Sequence, residues 1–270
     1  MKNKSVRKRS MQKSLDTILQ NVLDMLEADD GRSFEEKKEQ AIHMLTEKED
    51  SLLVNKLVDL AIAEKSASQI RESFWSFGEE ILLNNGILLR NVRVSDREGF
   101  LALQKHYSST PAMLAQEAYQ NMVWSEHTEQ KSLMLSIEQD QAYVGYCGIQ
   151  DLSKDIWEIS IELMPEKVRQ GIGSIAIPAM LDELRDRLGV ITYRIRIEPT
   201  NYASQRLFEK LGAAPNGISE LWLHDPDDLA QLEEESMHLI DETLIAVAMK
   251  FDVEPRALLS HVLEYKLTWE

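Results

Sequence analysis

The chain has 270 residues, 43% hydrophobic and 28% charged, with a net charge of −16 from 30 Lys and Arg against 46 Asp and Glu. That length suits one enzyme-sized domain plus an accessory segment, and the acidic balance excludes a general nucleic-acid binder, which needs a basic face for phosphates. The single cysteine, Cys147, excludes a disulfide framework and thiolate-rich zinc sites, and no apolar run reaches the ~18 residues of a membrane span.

Met1 to Lys13 carries six bases and no acids but no apolar stretch of a secretory signal follows. It reads as a solvated tail rather than a nucleic-acid or membrane contact, and the chain as soluble and cytoplasmic. Leu15, Ile18, Leu19, Val22, Leu23 and Leu26 then recur at spacings of three and four, one helical stripe. Asp29-Asp30-Gly31 interrupts it. Ser33 and Glu36 make a capping-box pattern that opens a second helix with Ile42, Met44 and Leu45. A third helix is expected over 52–63 and a fourth over 68–83, with no strand before residue 80. Asn84-Asn85-Gly86 closes this section, so residues 1–84 are expected to form a helical domain. Its stripes predict burial against something: internal packing, a homodimer arm or a protein partner.

The period then changes. Ile87 to Val94 is rich in branched residues and alternates, so it reads as a strand. Ser95-Asp96-Arg97-Glu98 is a further capping-box pattern before a helix through Leu103, and a second helical region spans 111–123. Three antiparallel strands are expected over 132–138, 142–149 and 156–163. A turn at Gln170–Gly173 leads into a helix over 174–188, then a strand over 191–197 and a helix over 203–211 stopped by Gly212. Residues 85–270 therefore predict an α+β domain with a mixed, mostly antiparallel sheet flanked by helices.

The segment Glu158-Ile159-Ser160-Ile161-Glu162-Leu163-Met164-Pro165-Glu166-Lys167-Val168-Arg169-Gln170-Gly171-Ile172-Gly173-Ser174 delivers a strand to a two-glycine loop and straight into a helix. Amides at such a helix start, with the helix dipole, suit an anion such as a pyrophosphate; a tight turn without a ligand explains the same glycines. The segment lacks the Gly-Lys-Ser/Thr of a P-loop and the third glycine of a dinucleotide fingerprint.

That segment, together with Asn201-Tyr202-Ala203-Ser204 and Glu209-Lys210-Leu211-Gly212, resembles the GNAT superfamily of acetyl-CoA-dependent N-acetyltransferases. The Asn-x-x-Ser form and the closing Leu263-Glu264-Tyr265-Lys266-Leu267 are most similar to its branch acetylating ribosomal-protein N-termini. The resemblance spans about 87–223 and a last strand near 262–269. It implies acetyl-CoA as cosubstrate, without a metal, held by Met164, Val168, Arg169, Gln170, Gly171, Ile172, Gly173 and Ser174, with Asn201 as a further contact. Val168 departs from the family, which usually has Arg or Gln there. The implied reaction is direct attack of an amine or peptide N-terminus on the thioester.

An ammonium must lose a proton before it attacks, so a base near neutrality is useful, with an acid near the departing thiolate. Glu158 and Glu162 are four apart in one strand and share a face with Ser160. Either could be that base, each raising the other's pKa, or both could belong to an ordinary polar face. Many family members carry a tyrosine acid at the position of Phe208, which has no proton to give. Ser204 is the substitute that the branch suggests; capping of the helix start by Asn201 or Ser204 is the plainer role, and Tyr202 is the nearest other hydroxyl. The six histidines show no ligand spacing, Cys147 reads as a small buried strand residue, and Trp157 and Trp222 as core or rim.

Residues 225–260 hold Asp225, Asp227, Asp228, Glu233, Glu234, Glu235, Asp241 and Glu242 beside apolar residues at helical spacing. They predict an insertion of one or two helices, either packed on the sheet or lining the acceptor side and favouring a cationic acceptor. Of the total charge, residues 87–218 contribute only fourteen bases against seventeen acids, so the acidity sits in the flanks. Against the enzyme stands a non-catalytic acyl-CoA-binding or scaffolding protein, kept open by Phe208 and Val168.

Overall fold

The computed structural model describes Met25, residues 30–32, 36–37 and 40, and 66–270 except 109–110, 129–130 and 221–224. The expected helices over 15–26, 33–45 and 52–63, the basic run and Trp222 lie outside the described residues or almost wholly so. The chain divides into two units, Met1–Ser68 and Gln69–Glu270. In the first, Gly31 turns at φ 78° and the Asp30 carboxylate takes Arg32 and Lys37, which fits the expected interruption there.

The second unit is built on an eight-stranded sheet in the order β1-β2-β3-β4-β5-β6-β8-β7. Its strands are β1 (Glu80–Leu82), β2 (Ile87–Asn91), β3 (Leu133–Gln139), β4 (Ala142–Ile149), β5 (Trp157–Leu163), β6 (Thr192–Ile197), β7 (Ala214–Glu220) and β8 (His261–Thr268). Every pairing is antiparallel except β5 with β6. The helices are α1 (Arg97–Tyr107), α2 (Glu117–Thr128), α3 (Ile172–Leu188), α4 (Tyr202–Lys210), α5 (Pro226–Ser236) and α6 (Glu242–Phe251). This is the expected α+β class.

The faces follow from the alternation of β4. Tyr146 packs with Phe100 and Leu103 of α1 and beside Trp124 of α2. Its neighbour Cys147 points to the other side and is fully buried. Helix α3 packs across β2, β4 and β5. It buries Ile172, Ala176, Ile177, Met180, Leu181 and Leu184, a stripe at spacings of one, three and four, and stops where Gly189 turns left-handed at φ 71°.

Three expectations change. The helix expected over 68–83 ends at 75, because the chain turns at Gly78 and then pairs as β1 with β2. Asn84-Asn85-Gly86 is the hairpin turn between them, with Asn85 and Gly86 at φ 63° and 68°. Only Ile81 of β1 is buried, too little alternation to read from sequence. Second, the Ser95–Glu98 capping box is replaced by Asp96, whose carboxylate accepts the Arg93 amide at 2.9 Å. The same carboxylate takes a two-pronged contact from Arg90 at 2.7 and 2.8 Å and the Ser136 hydroxyl at 2.7 Å. Burial pushes its pKa up, but these donors outweigh burial and hold it below the usual value. The network fixes the corner from which α1 departs. Third, β7, a strand not foreseen, continues the sheet beyond β8.

The acidic insertion is a pair of helices. Asp225 caps α5 through the amides of Asp227 and Asp228, and Asp241 caps α6 through that of Leu244. Phe251 meets the Tyr265 ring edge-on at 5.0 Å, and Glu233 takes Arg256 and Ser260. Helix α6 thus lies on β7 and β8, and Lys250 and Tyr265 both reach Glu209 at the end of α4. Among the described residues no helix is long and apolar enough to cross a membrane.

Candidate active site

β5 pairs with β4 from Ile159 to Leu163 but with β6 only at Trp157 and Glu158. Past Glu158 the two parallel strands separate. The gap is a cleft of about 790 Å³ walled by β5, β6, the loop before α3 and the start of α4, a size that suits a small-molecule ligand. On the other side, β4 carries one extra residue, Val144, where the register with β3 shifts. Gly145 follows at φ 148°, and a Cβ there would stand 2.2 Å from the Glu162 carbonyl oxygen. Only glycine lets β4 press this closely on β5 beside Glu162.

The loop reaches α3 through two left-handed residues, Arg169 at φ 65° and Gly171 at φ 80°. No side chain caps α3, so its first amides lack intrahelical partners where Gly171, Ile172, Gly173 and Ser174 line the cleft. A Cβ on Gly171 would meet no other part of the protein within 4 Å. The loop thus fits an anion such as a pyrophosphate. Val168 and Arg169 line the cleft as well. Met164 and Gln170 do not: Met164 packs on the Phe100–Leu103–Tyr146 cluster, and the Gln170 amide turns back to donate to the Glu166 carbonyl.

Glu158 and Glu162 both line the cleft, with Ser160 between them. Their surroundings differ. Glu158 accepts from Arg194 at 3.1 Å and from Arg196 at 2.9 Å, an ion-paired carboxylate. Glu162 accepts from the Gln104 amide of α1 at 2.8 Å and stands directly across the strand pair from Tyr146. Desolvation raises the Glu162 pKa, and its neutral neighbours Tyr146 and Gln104 only partly oppose it. Mutual repulsion of the two glutamates is not the cause: four residues of strand put about 13 Å between them, beyond a Debye length.

Asn201 and Ser204 both line the cleft. The Asn201 side chain accepts the Ser204 amide at 3.1 Å and so caps α4. Phe208 is a buried wall of the cleft, and Tyr202 is not in its lining. Cys147 is buried, its thiol pushed up to about 12 by burial. Trp157 is core, donating to the Leu152 carbonyl at 3.3 Å. His127 is buried and stacked on Phe100, its pKa lowered by burial to about 4. No described group of His, Cys, Asp and Glu is arranged to hold a metal.

No residue of 225–260 is among those lining the cleft. Sequence reading missed Arg194, Arg196, Gln104 and Tyr107. The first two were visible as an Arg-x-Arg alternation opposite Glu158. The last two depend on how α1 docks, which no local pattern encodes.

Residues 87–214 match the family model described as the acetyltransferase (GNAT) domain. No curated protein matches the chain. Among solved structures, it is similar to RimL, the ribosomal L7/L12 alpha-N-protein acetyltransferase, in complex with coenzyme A. There the TM-score is 0.50 at 14% identity, over 71% of this chain and 98% of that one. It is similar as well to the microcin C7 self-immunity acetyltransferase MccE in complex with acetyl-CoA and AMP, with TM-score 0.50, 14% identity and coverage of 70% and 96%. A third likeness is to Mycobacterium smegmatis RimJ in complex with CoA-disulfide, at TM-score 0.46 and 15% identity over 70% of this chain and 85% of that one. At such identities the shared property is the fold.

Proposed function

We propose that this chain, which carries a GNAT acetyltransferase domain over residues 87–214, transfers an acetyl group from acetyl-CoA to a primary amine by direct attack. The acceptor is the N-terminus of a peptide or protein or a small-molecule amine. One observation carries the reading: an uncapped helix start and a half-buried carboxylate held by a neutral amide open into the same cleft, at the point where β5 and β6 part.

In this reading the amides of Gly171 to Ser174 and the Arg169 side chain hold the phosphates of acetyl-CoA, and Asn201 shapes the wall beside them. Bound acetyl-CoA supplies an activated thioester. Glu162 takes the proton from the incoming ammonium. Its raised pKa brings it nearer the working pH, where a base is most effective. Glu158, ion-paired with Arg194 and Arg196 of β6, keeps β5 joined to β6 just before the gap. Ser204 stands in for the phenol that Phe208 lacks and gives a proton to the departing thiolate.

Acetyl-CoA should raise the melting temperature of the pure protein, and thiol release should follow with some member of a panel of amines and N-terminal peptides. Tight binding of acetyl-CoA with no turnover on any acceptor would replace this reading by a non-catalytic acyl-CoA-binding role. No thermal shift at all would remove both.

A further inference from the structure

We propose that Gln104 of α1 is the positioning residue for the Glu162 carboxylate, so that α1 sets the place of the base. The proposal rests on the reading of Glu162 as that base. The Gln104 amide nitrogen lies 2.8 Å from Glu162 Oε2. Three residues on, Tyr107 donates its hydroxyl to the carbonyl of Leu163 at 3.1 Å. Residues three apart share one face of a helix, so a single face of α1 grips the end of β5 twice, at the side chain of 162 and the backbone of 163. The helix is itself anchored at its start by the Arg90–Asp96 pair and along its length by Phe100 and Leu103. The grip therefore transmits a fixed position.

The chemistry of the contact matters as much as its place. An ionised carboxylate offers about four acceptor positions, and the Gln104 amide leaves room for an ammonium proton. An amide orients the carboxylate without the full charge that a guanidinium brings to Glu158.

The test compares Gln104→Met, Gln104→Lys and Glu162→Gln in the full chain, using thiol release from acetyl-CoA with whichever amine of the panel turns over. Loss of the amide removes a donor to the charged form, so Gln104→Met should move the acid limb of kcat/KM to higher pH. It should also lower kcat about tenfold, with the KM for acetyl-CoA unchanged. Gln104→Lys puts a cation beside the carboxylate and should move the limb down by about one pH unit. Structural damage cannot produce shifts of opposite sign. Carboxyl 13C titration of Glu162 in glutamate-labelled protein, assigned by Glu162→Gln, reads the same shifts without turnover. Gln104→Arg, which also places a cation beside the carboxylate and should move the limb downward, replaces the lysine variant if that one does not fold. Limbs and titrations that stay put in the Gln104 variants, while Glu162→Gln abolishes the limb, would overturn the positioning role alone. A wild-type limb in Glu162→Gln would overturn the base itself and the proposal with it.

Discussion

The two ends of β5 carry the same residue type on the same face, yet they are opposite environments. At Glu158 the strand is still paired to β6, and two arginines of that strand neutralise the carboxylate. At Glu162 β6 has gone, and the half-buried carboxylate accepts from an amide and faces the ring of Tyr146. Four residues of strand separate a charge that is held from a charge that is kept reactive. Parting the strands makes the cleft and also takes the arginines away from its base.

The sharpest way to break this comparison is to remove each carboxylate in turn. Glu162→Gln should lower kcat about 100- to 1,000-fold, the usual effect of losing a general base. Glu158→Gln should keep most of the chemistry. Equal losses in steady-state assays of the two variants would end the distinction. Next in size is the glycine that builds the reactive end. Gly145→Ala forces a Cβ against the Glu162 carbonyl at a φ suited to glycine, and should cost about 3 kcal/mol or more in a denaturant melt.

At the paired end the expected effect is smaller. Glu158→Gln leaves Arg194 and Arg196 short of a counter-charge, but both are partly exposed, so a loss of about 1–2 kcal/mol is expected by the same melt. The smallest effect concerns pH. Because the folded-state pKa of Glu162 is raised, the protein has its full stability below the ordinary carboxylate value and loses some as pH rises through the raised one. Glu162→Gln should therefore melt higher than wild type at neutral pH, with the difference closing below about pH 4. The two effects together, a more stable protein and a slower enzyme, would mark the 162 end as the strained one.

Much of this was legible along the chain. The strand over 142–149 was read with the bounds it has in the structure, the strands near 157–163 and 192–197 with nearly theirs, and so were α3 and α4. Long periodic segments bury one face, and burial is what the period reports. The two-glycine loop and the shared face of Glu158, Ser160 and Glu162 were readable for the same reason. The short β1 and β7 were not, since three residues with one buried side chain, or a strand with Pro215, Asn216 and Gly217 inside it, give no period. The insertion was recognised as helical, but its side of the sheet was not: α6 lies on β7 and β8, and nothing from 225–260 lines the cleft.

The sequence by itself determined the types of the long elements, the mixed sheet and the set of side chains that alternate onto one face of β5. Local spacing decides those, because it fixes which atoms leave the backbone on which side. Which of the two glutamates is paired and which is poised was decided only in three dimensions. That choice depends on where β6 diverges, where the bulge at Val144 and Gly145 presses, and where α1 sets down Gln104, 58 residues away. A pKa is set by neighbours in space, and those neighbours come from three separate stretches of the chain.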